Sequence, residues 1–192
     1  MNRRMFVVLA LLVQHICCWA YPASSSVKYD FTVDDIFYRI NADKKSVAVT
    51  YNNRGKSYDF YSLPASYSGE VSIPGFVTYN EVTYPVTRID MCAFLRCEEL
   101  TAVSIPNSVT VIDNWAFEGC KGLQDIVLPS NLSSVGQGAF SSSGLTSISI
   151  PASLKVLQGF GGCINLETVT IAEGVEEIDD RCFSGCSSLN TR

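Results

Sequence analysis

Histidine occurs once in the 192 residues, at position 15, and nowhere downstream of it. Once the leader described below is removed, no imidazole remains. That excludes Ser-His and Cys-His nucleophilic sites, His-ligated zinc and a histidine general base. Cations are also scarce: 14 Lys and Arg stand against 19 Asp and Glu, a formal net charge of −5, and loss of Arg3 and Arg4 takes it to −7. A chain so acidic is poorly suited to phosphate backbones or anionic lipid, so neither nucleic acid nor membrane is expected as a partner. Long apolar runs are missing too. The leader's run, Met5 to Val13, has nine residues, where a membrane helix needs about 20. With 47% apolar residues, 13 Gly and 7 Pro, the composition fits a folded protein rich in turns and excludes a disordered tail or a collagen-like rod.

The first 20 residues, MNRRMFVVLALLVQHICCWA, place two arginines before the apolar run and the small residues Cys18 and Ala20 at the −3 and −1 positions of a cleavage site. This predicts a secretory signal peptide over residues 1–20. Gln14, His15 and Ile16 are not the small residues that precede a lipid-bearing cysteine, so ordinary cleavage is favoured over an anchor at Cys17 or Cys18. The mature chain is therefore expected at the cell surface or outside the cell.

An internal repeat dominates the rest. Near-copies begin at Ile89, Ile112, Val135, Leu157 and Ile178, and residues 71–88 carry the second half of the same unit. Each copy has a phenylalanine, at 94, 117, 140, 160 and 183, followed by a leucine at 100, 123, 145, 166 and 189. Three and five residues beyond the leucine come Val103 and Ile105, Ile126 and Leu128, Ile148 and Ile150, Val169 and Ile171. That period of two marks a short strand with one buried face. Pro106, Pro129 and Pro151 then end it, because proline cannot donate the next ladder bond. One copy cannot bury its own apolar side, so successive copies are predicted to stack in parallel around a shared core, as a solenoid. The third copy is one residue short after Phe140 and the fourth two short before Phe160, both in Gly- and Ser-rich turns where a length change is tolerated.

The motif L-x-x-V-x-I-P, with a small-residue turn and A-F-x-x-C, resembles the BspA-like (Treponema-type) leucine-rich repeats of bacterial surface proteins. The resemblance is strong from Val71 to Arg192 and looser upstream. It implies a curved leucine-rich repeat solenoid of stacked parallel strands, displayed outside the cell and binding host or neighbouring proteins. Ser143 in the cysteine slot, Ala172 in the proline slot and Cys182 in the alanine slot depart from the motif.

Residues 21–70 read as an N-terminal β-rich cap. Ile36–Ile40 and Ser46–Tyr51 are strand-like runs around a polar turn at Asn41–Lys45, and Asn52–Gly55 signals another turn. The aromatics there (Tyr29, Phe31, Phe37, Tyr38, Tyr51, Tyr58, Phe60, Tyr61 and Tyr67) fit either a β-hairpin cap over the first rung or a sugar- or peptide-binding surface. At the other end the fifth copy stops before its strand, so Glu167–Ile171 is expected to present an open edge, through which the chain self-associates unless more sequence follows.

Six cysteines remain after the leader, and Cys97, Cys120, Cys163 and Cys186 share one slot. They are read as a buried ladder of thiols, since parallel neighbours rarely meet disulfide geometry. Cys182 and Cys186 are the exception most open to chemistry. No metal or cofactor is expected, because the cysteines lack metal-site spacing. Glu173, Glu176, Glu177, Asp179 and Asp180 are read as a solvated edge, not as facing catalytic carboxylates. Asn131-Leu132-Ser133 matches a glycosylation acceptor, relevant only in a eukaryote. Ser104, Val127, Ser149 and Thr170 should point outward from the strands, beside Ala102, Asp125, Ser147 and Thr168, and form the candidate binding face. Trp115 is expected beside the phenylalanines, partly exposed. The function read from all this is an exported binding module for adhesion or protein recognition, with extracellular or host proteins, or glycans, as partners. A structural spacer or fragment of a larger surface protein, and a histidine-free carbohydrate-active enzyme, are the alternatives.

Overall fold

The computed structural model describes residues 29–52 and 65–189. The leader at 1–20, most of the Asn52–Gly55 turn, Tyr58, Phe60, Tyr61 and residues 190–192 lie outside them. The described residues contain strands and turns and no helix. In chain order the strands are β1 (Phe31–Val33), β2 (Ile36–Ile40), β3 (Val47–Thr50), β4 (Gly69–Ser72), β5 (Phe76–Tyr79), β6 (Val82–Ile89), β7 (Leu100–Ser104), β8 (Val111–Ile112), β9 (Ser134–Val135), β10 (Ser147–Ile150), β11 (Val156–Leu157), β12 (Thr168–Ile171) and β13 (Glu177–Ile178).

Successive repeats meet along three columns. The first is the strand that sequence periodicity marks. β4 pairs in parallel with β7 and β10 with β12, with Val71 opposite Val103 and Ile148 opposite Val169. One member of this column departs from expectation: residues 124–128 form no strand, and β7 and β10 belong to separate sheets. Ile126 and Leu128 are still buried and Val127 exposed, so the alternation survives without the ladder. Gly122 N–H donates to Glu98 O at 3.0 Å and Gly144 N–H to Cys120 O, so the turns leading into the second and third strands are drawn tight against the preceding repeat. A Cβ at Gly144 would lie 2.0 Å from Lys121 O, a contact only glycine permits.

The second column consists of two-residue strands that the sequence reading did not separate from the turns. The end of β6 pairs with β8 and β8 with β9, all parallel, and β11 pairs with β13. The available signal was the pair of apolar residues three and six positions past each proline, Val109 and Ile112, Leu132 and Val135, Leu154 and Leu157. All six are buried.

The third column is the turn that carries the phenylalanine. Rings of Phe94, Phe117, Phe140 and Phe160 stack with centroids 4.8, 5.2 and 5.1 Å apart and planes within 9°, and Phe183 follows at 5.8 Å. Backbone bonds join the same turns: Phe94 N–H to Ala116 O and Phe117 N–H to Ala139 O are both 2.7 Å. Two residues past each phenylalanine the backbone is left-handed, at Arg96, Gly119, Ser142, Gly162 and Gly185. Glycine reaches that conformation without steric penalty, which explains the recurrent glycine before the cysteine slot.

Upstream, β1 and β2 form an antiparallel hairpin around Asp34–Asp35, and β2 pairs antiparallel with β3. β3 then runs parallel to β6 and joins the two-residue column. Tyr67 takes the ring position before Phe94, 4.5 Å away, and Phe37 and Tyr29 extend the aromatic contacts. The Tyr67 hydroxyl donates to Thr50 O and accepts from Phe37 N–H, tying ring to hairpin. Arg39 makes a two-toothed ion pair with the buried Asp90, both bonds 2.7 Å. The half repeat also holds a feature the sequence reading missed: β5 and β6 form an antiparallel hairpin through Asn80–Glu81, both at positive φ.

Candidate binding face

Alternation along each strand of the first column decides which side chains reach water. Val103 on β7 and Ile148 and Ile150 on β10 turn inward, which leaves Ser104 and Ser149 exposed between and beside them. β12 presents Thr168 and Thr170 in the same way. Parallel register aligns these groups: Ser149 faces Thr170, Ser147 faces Thr168, and Ser104 faces Ser72 on β4. Val127, between β7 and β10, is 83% exposed. Three of the candidate residues thus lie on strands and Val127 lies in the non-strand segment of the repeat between them, all four exposed. Ser72 and Glu70 on β4 add a further exposed row, for which the V-S-I-P of residues 71–74 is the sequence signal at Ser72.

The chemistry of this surface is hydroxyl and acid. Asp125 accepts a hydrogen bond from Ser147 Oγ at 3.2 Å. Glu70 and Asp125 are both exposed, and none of the strand residues named carries a positive charge. Such a face offers donors and acceptors in a regular array with one protruding apolar group. Exposed Glu173, Glu176, Glu177, Asp179 and Asp180 lie beyond β12. Glu176 pairs with Lys155 at 3.1 Å, and Asp179 accepts from Arg181 N–H at 3.0 Å. Among the described residues no group of three or more His, Cys, Asp or Glu is placed to hold a metal ion.

The thiols are occupied. Cys120, Cys163 and Cys186 each donate to the carbonyl of the phenylalanine one repeat earlier, Phe94, Phe140 and Phe160, at 3.0–3.1 Å. Ser143, in the same slot, sits 3.4 Å from Cys163 Sγ. All six described cysteines are unbridged and buried. Cys182 and Cys186, expected to be accessible, are buried too, at 2% and 9% exposure. Burial raises the Cys97, Cys120, Cys163 and Cys186 thiols above their ordinary value of 9.0 and pushes Cys182 up to about 12. Deprotonated sulfur, the reactive form, is disfavoured at each. Trp115 is half-buried, and its ring lies over Gly138, where a Cβ would come within 2.7 Å of Cδ1.

A recurring strand, a phenylalanine turn bonded to its neighbours and a leucine that seals each copy are the parts of a leucine-rich repeat. The BspA-type leucine-rich repeat region matches in six copies over residues 77–191, and the chain belongs to that family. A leucine-rich repeat protein from Bacteroides capillosus ATCC 29799 is 30% identical, with a TM-score of 0.59, over 74% of this chain and 97% of that one. One from Bacteroides ovatus ATCC 8483 is 28% identical, with a TM-score of 0.55, over 84% of this chain and 46% of that one. This chain therefore spans about half the length of the Bacteroides ovatus protein. A leucine-rich cell surface protein from Faecalibacterium prausnitzii A2-165 shares the fold at 22% identity and a TM-score of 0.56, over 84% of this chain and 53% of that one. No curated protein matches. No helix among the described residues is long and apolar enough to cross a membrane.

Proposed function

We propose that the chain is an exported binding module acting at the cell surface or outside the cell, in adhesion or protein recognition, without catalysis. In this reading the repeats form a solenoid, the β1–β3 hairpin is its N-terminal cap, and the leader at 1–20 directs export. The supporting observation is the exposed set of Ser104, Val127, Ser149 and Thr170 on successive repeats, with Ser149 opposite Thr170. Extended repeat surfaces of this kind are where such proteins engage partners. The description of the Faecalibacterium protein as a cell surface protein favours the same location. The proposed partners are extracellular or host proteins, or glycans, and the acidic balance argues against nucleic acid.

The test is binding of the purified chain to immobilised extracellular-matrix proteins and to a glycan panel. Saturable binding that falls at least tenfold in the Ser104→Arg, Ser149→Arg, Thr170→Arg triple variant, with circular dichroism unchanged, is the expected result. No saturable binding, or a triple variant that binds like the parent, overturns the reading and leaves a spacer. We also propose self-association through the fourth and fifth repeats, where Ile171 and Ile178 are 41% and 49% exposed against 2% for Ile150 and 0% for Leu157 one repeat earlier. Light scattering at rising concentration should then show growth in mass, and a constant monomer mass rejects it.

A further inference from the structure

Along the two-residue column a carbonyl in one repeat accepts a backbone N–H from the next with fixed offsets. Thr110 and Asp113 N–H donate to Thr87 and Ile89 O at 3.0 and 2.9 Å, and Ser133 and Gly136 N–H donate to Thr110 and Ile112 O at 2.9 and 2.8 Å. The offsets return between the fourth and fifth repeats, where Glu176 and Asp179 N–H donate to Lys155 and Leu157 O at 2.8 and 2.9 Å. Between the third and fourth repeats they fail. Where Gln158 N–H would donate to Val135 O, the Gln158 side-chain Nε2 donates instead, at 2.9 Å, and Ser153 Oγ donates to Leu132 O at 2.7 Å. β9 and β11 accordingly belong to different sheets.

The cause lies in the missing residues. Two positions separate Leu157 from Phe160, where four separate Val135 from Phe140. Phe160 keeps its place in the ring stack, so the shortened chain must be drawn in at Gly159. That residue has φ of 96°, and a Cβ there would lie 2.7 Å from Gly136 O. The backbone of residues 155–158 then no longer reaches the carbonyls of the third repeat. The other two columns are intact at this boundary: Phe140 and Ser142 N–H donate to Gly159 and Gly161 O at 2.8 and 3.0 Å, and β10 pairs with β12 over four residues.

We propose that this boundary is a conformational seam, at which the two-residue column opens locally while the strand and turn columns hold, so that the fourth and fifth repeats re-angle as a unit against the third. Side-chain clamps must order their own rotamers and are lost more readily than a backbone ladder. The β10–β12 ladder then acts as the pivot, so Thr168 stays opposite Ser147 and Thr170 opposite Ser149 while the two-residue column opens. This holds whatever the face binds, including nothing.

The experiment uses nitroxide pairs on the full chain, introduced as Ser134→Cys with Val156→Cys across the seam and as Val156→Cys with Glu177→Cys across the next boundary. All three positions are exposed and the six described thiols are buried, so labelling is selective once Cys17 and Cys18 are changed to serine. Dipolar line shapes should report a spread of interspin distances about twofold wider across the seam than across the control, and Gln158→Ala should widen the first without changing the second. Equal spreads in the two pairs overturn the proposal, as does a Gln158→Ala effect of the same size in both.

Discussion

Five residues in one slot hold the same left-handed turn, and only three of them are glycine. Gly119, Gly162 and Gly185 adopt positive φ without steric penalty, whereas Arg96 and Ser142 adopt it at 53° and 55° with a Cβ. A side chain in that region is disfavoured by roughly 1–2 kcal/mol, partly offset by the greater entropy a glycine loses on folding. Ser142→Gly should therefore raise stability by roughly 0.5–1 kcal/mol, read as a small rise in melting temperature. Ser142 is the cleaner test of the two because it is exposed. A lowered melting temperature would mean that its side chain holds the turn by contacts that outweigh the backbone strain. The cysteines illustrate another point at this scale. A serine in their slot looks like a break in a hydrophobic ladder, yet both residue types present a small hydrogen-bond donor to the interior. The Phe94 and Phe140 carbonyls, which already accept the Cys97 and Ser143 N–H, take a thiol as a second donor, and the Ser143 hydroxyl meets Cys163 Sγ, so no buried polar group in the slot is left alone.

At the scale of elements, the turns bind the repeats more continuously than the strands do. The strand column is interrupted at residues 124–128 and the two-residue column between β9 and β11, while the phenylalanine turns are bonded at every boundary from the first repeat to the fifth. The ring stack is thus the continuous element of the core. Phe117 sits within it with no exposure and a ring on either side. Phe117→Ala should lower unfolding free energy by about 3–5 kcal/mol, the range for a fully buried phenylalanine. Chemical denaturation of parent and variant gives the number, and an unchanged midpoint would mean that the stack does not carry the stability assigned to it. Length changes fall where these columns tolerate them: the shortened fourth repeat keeps its ring and its strand and sacrifices only its two-residue ladder.

For the molecule as a whole, buried ionisable groups set an alkaline limit. Five thiols, and the phenols of Tyr38 and Tyr67, are held by burial above their ordinary values of 9.0 and 10.0. In the unfolded chain they ionise near those values, while the folded chain keeps its protons, Cys182 to about 12. Between the two the folded state binds more protons, so stability falls as pH rises. It is fully present below pH 9 and erodes through the window from about 9 to about 12. Urea midpoints should therefore be constant from neutrality to about pH 8 and lower at about pH 10.5. A flat profile through that range would show that these groups ionise as freely in the fold as outside it.

What the sequence by itself determined was the repeat and the residues it buries. Phenylalanine, leucine and the alternating apolar pair recur at nearly constant spacing, and any chain that buries them all must place equal positions side by side, which specifies the parallel register and the outward set Ser104, Val127, Ser149 and Thr170 without coordinates. Sequence reading failed where the outcome depends on contacts between repeats. The two-residue strands are too short for periodicity to reveal and exist only because a neighbour supplies the carbonyls. Tyr67 takes a ring position that its own spacing does not mark, because it has Phe94 and the hairpin to pack against. The β5–β6 hairpin hid in a half repeat whose two-residue turn was masked by the match to the motif. The burial of Cys182 and Cys186, the gap at residues 124–128 and the Gln158 clamp were likewise decided by tertiary structure, since a backbone hydrogen bond forms or fails according to where the next repeat lies, not according to the residues that would make it.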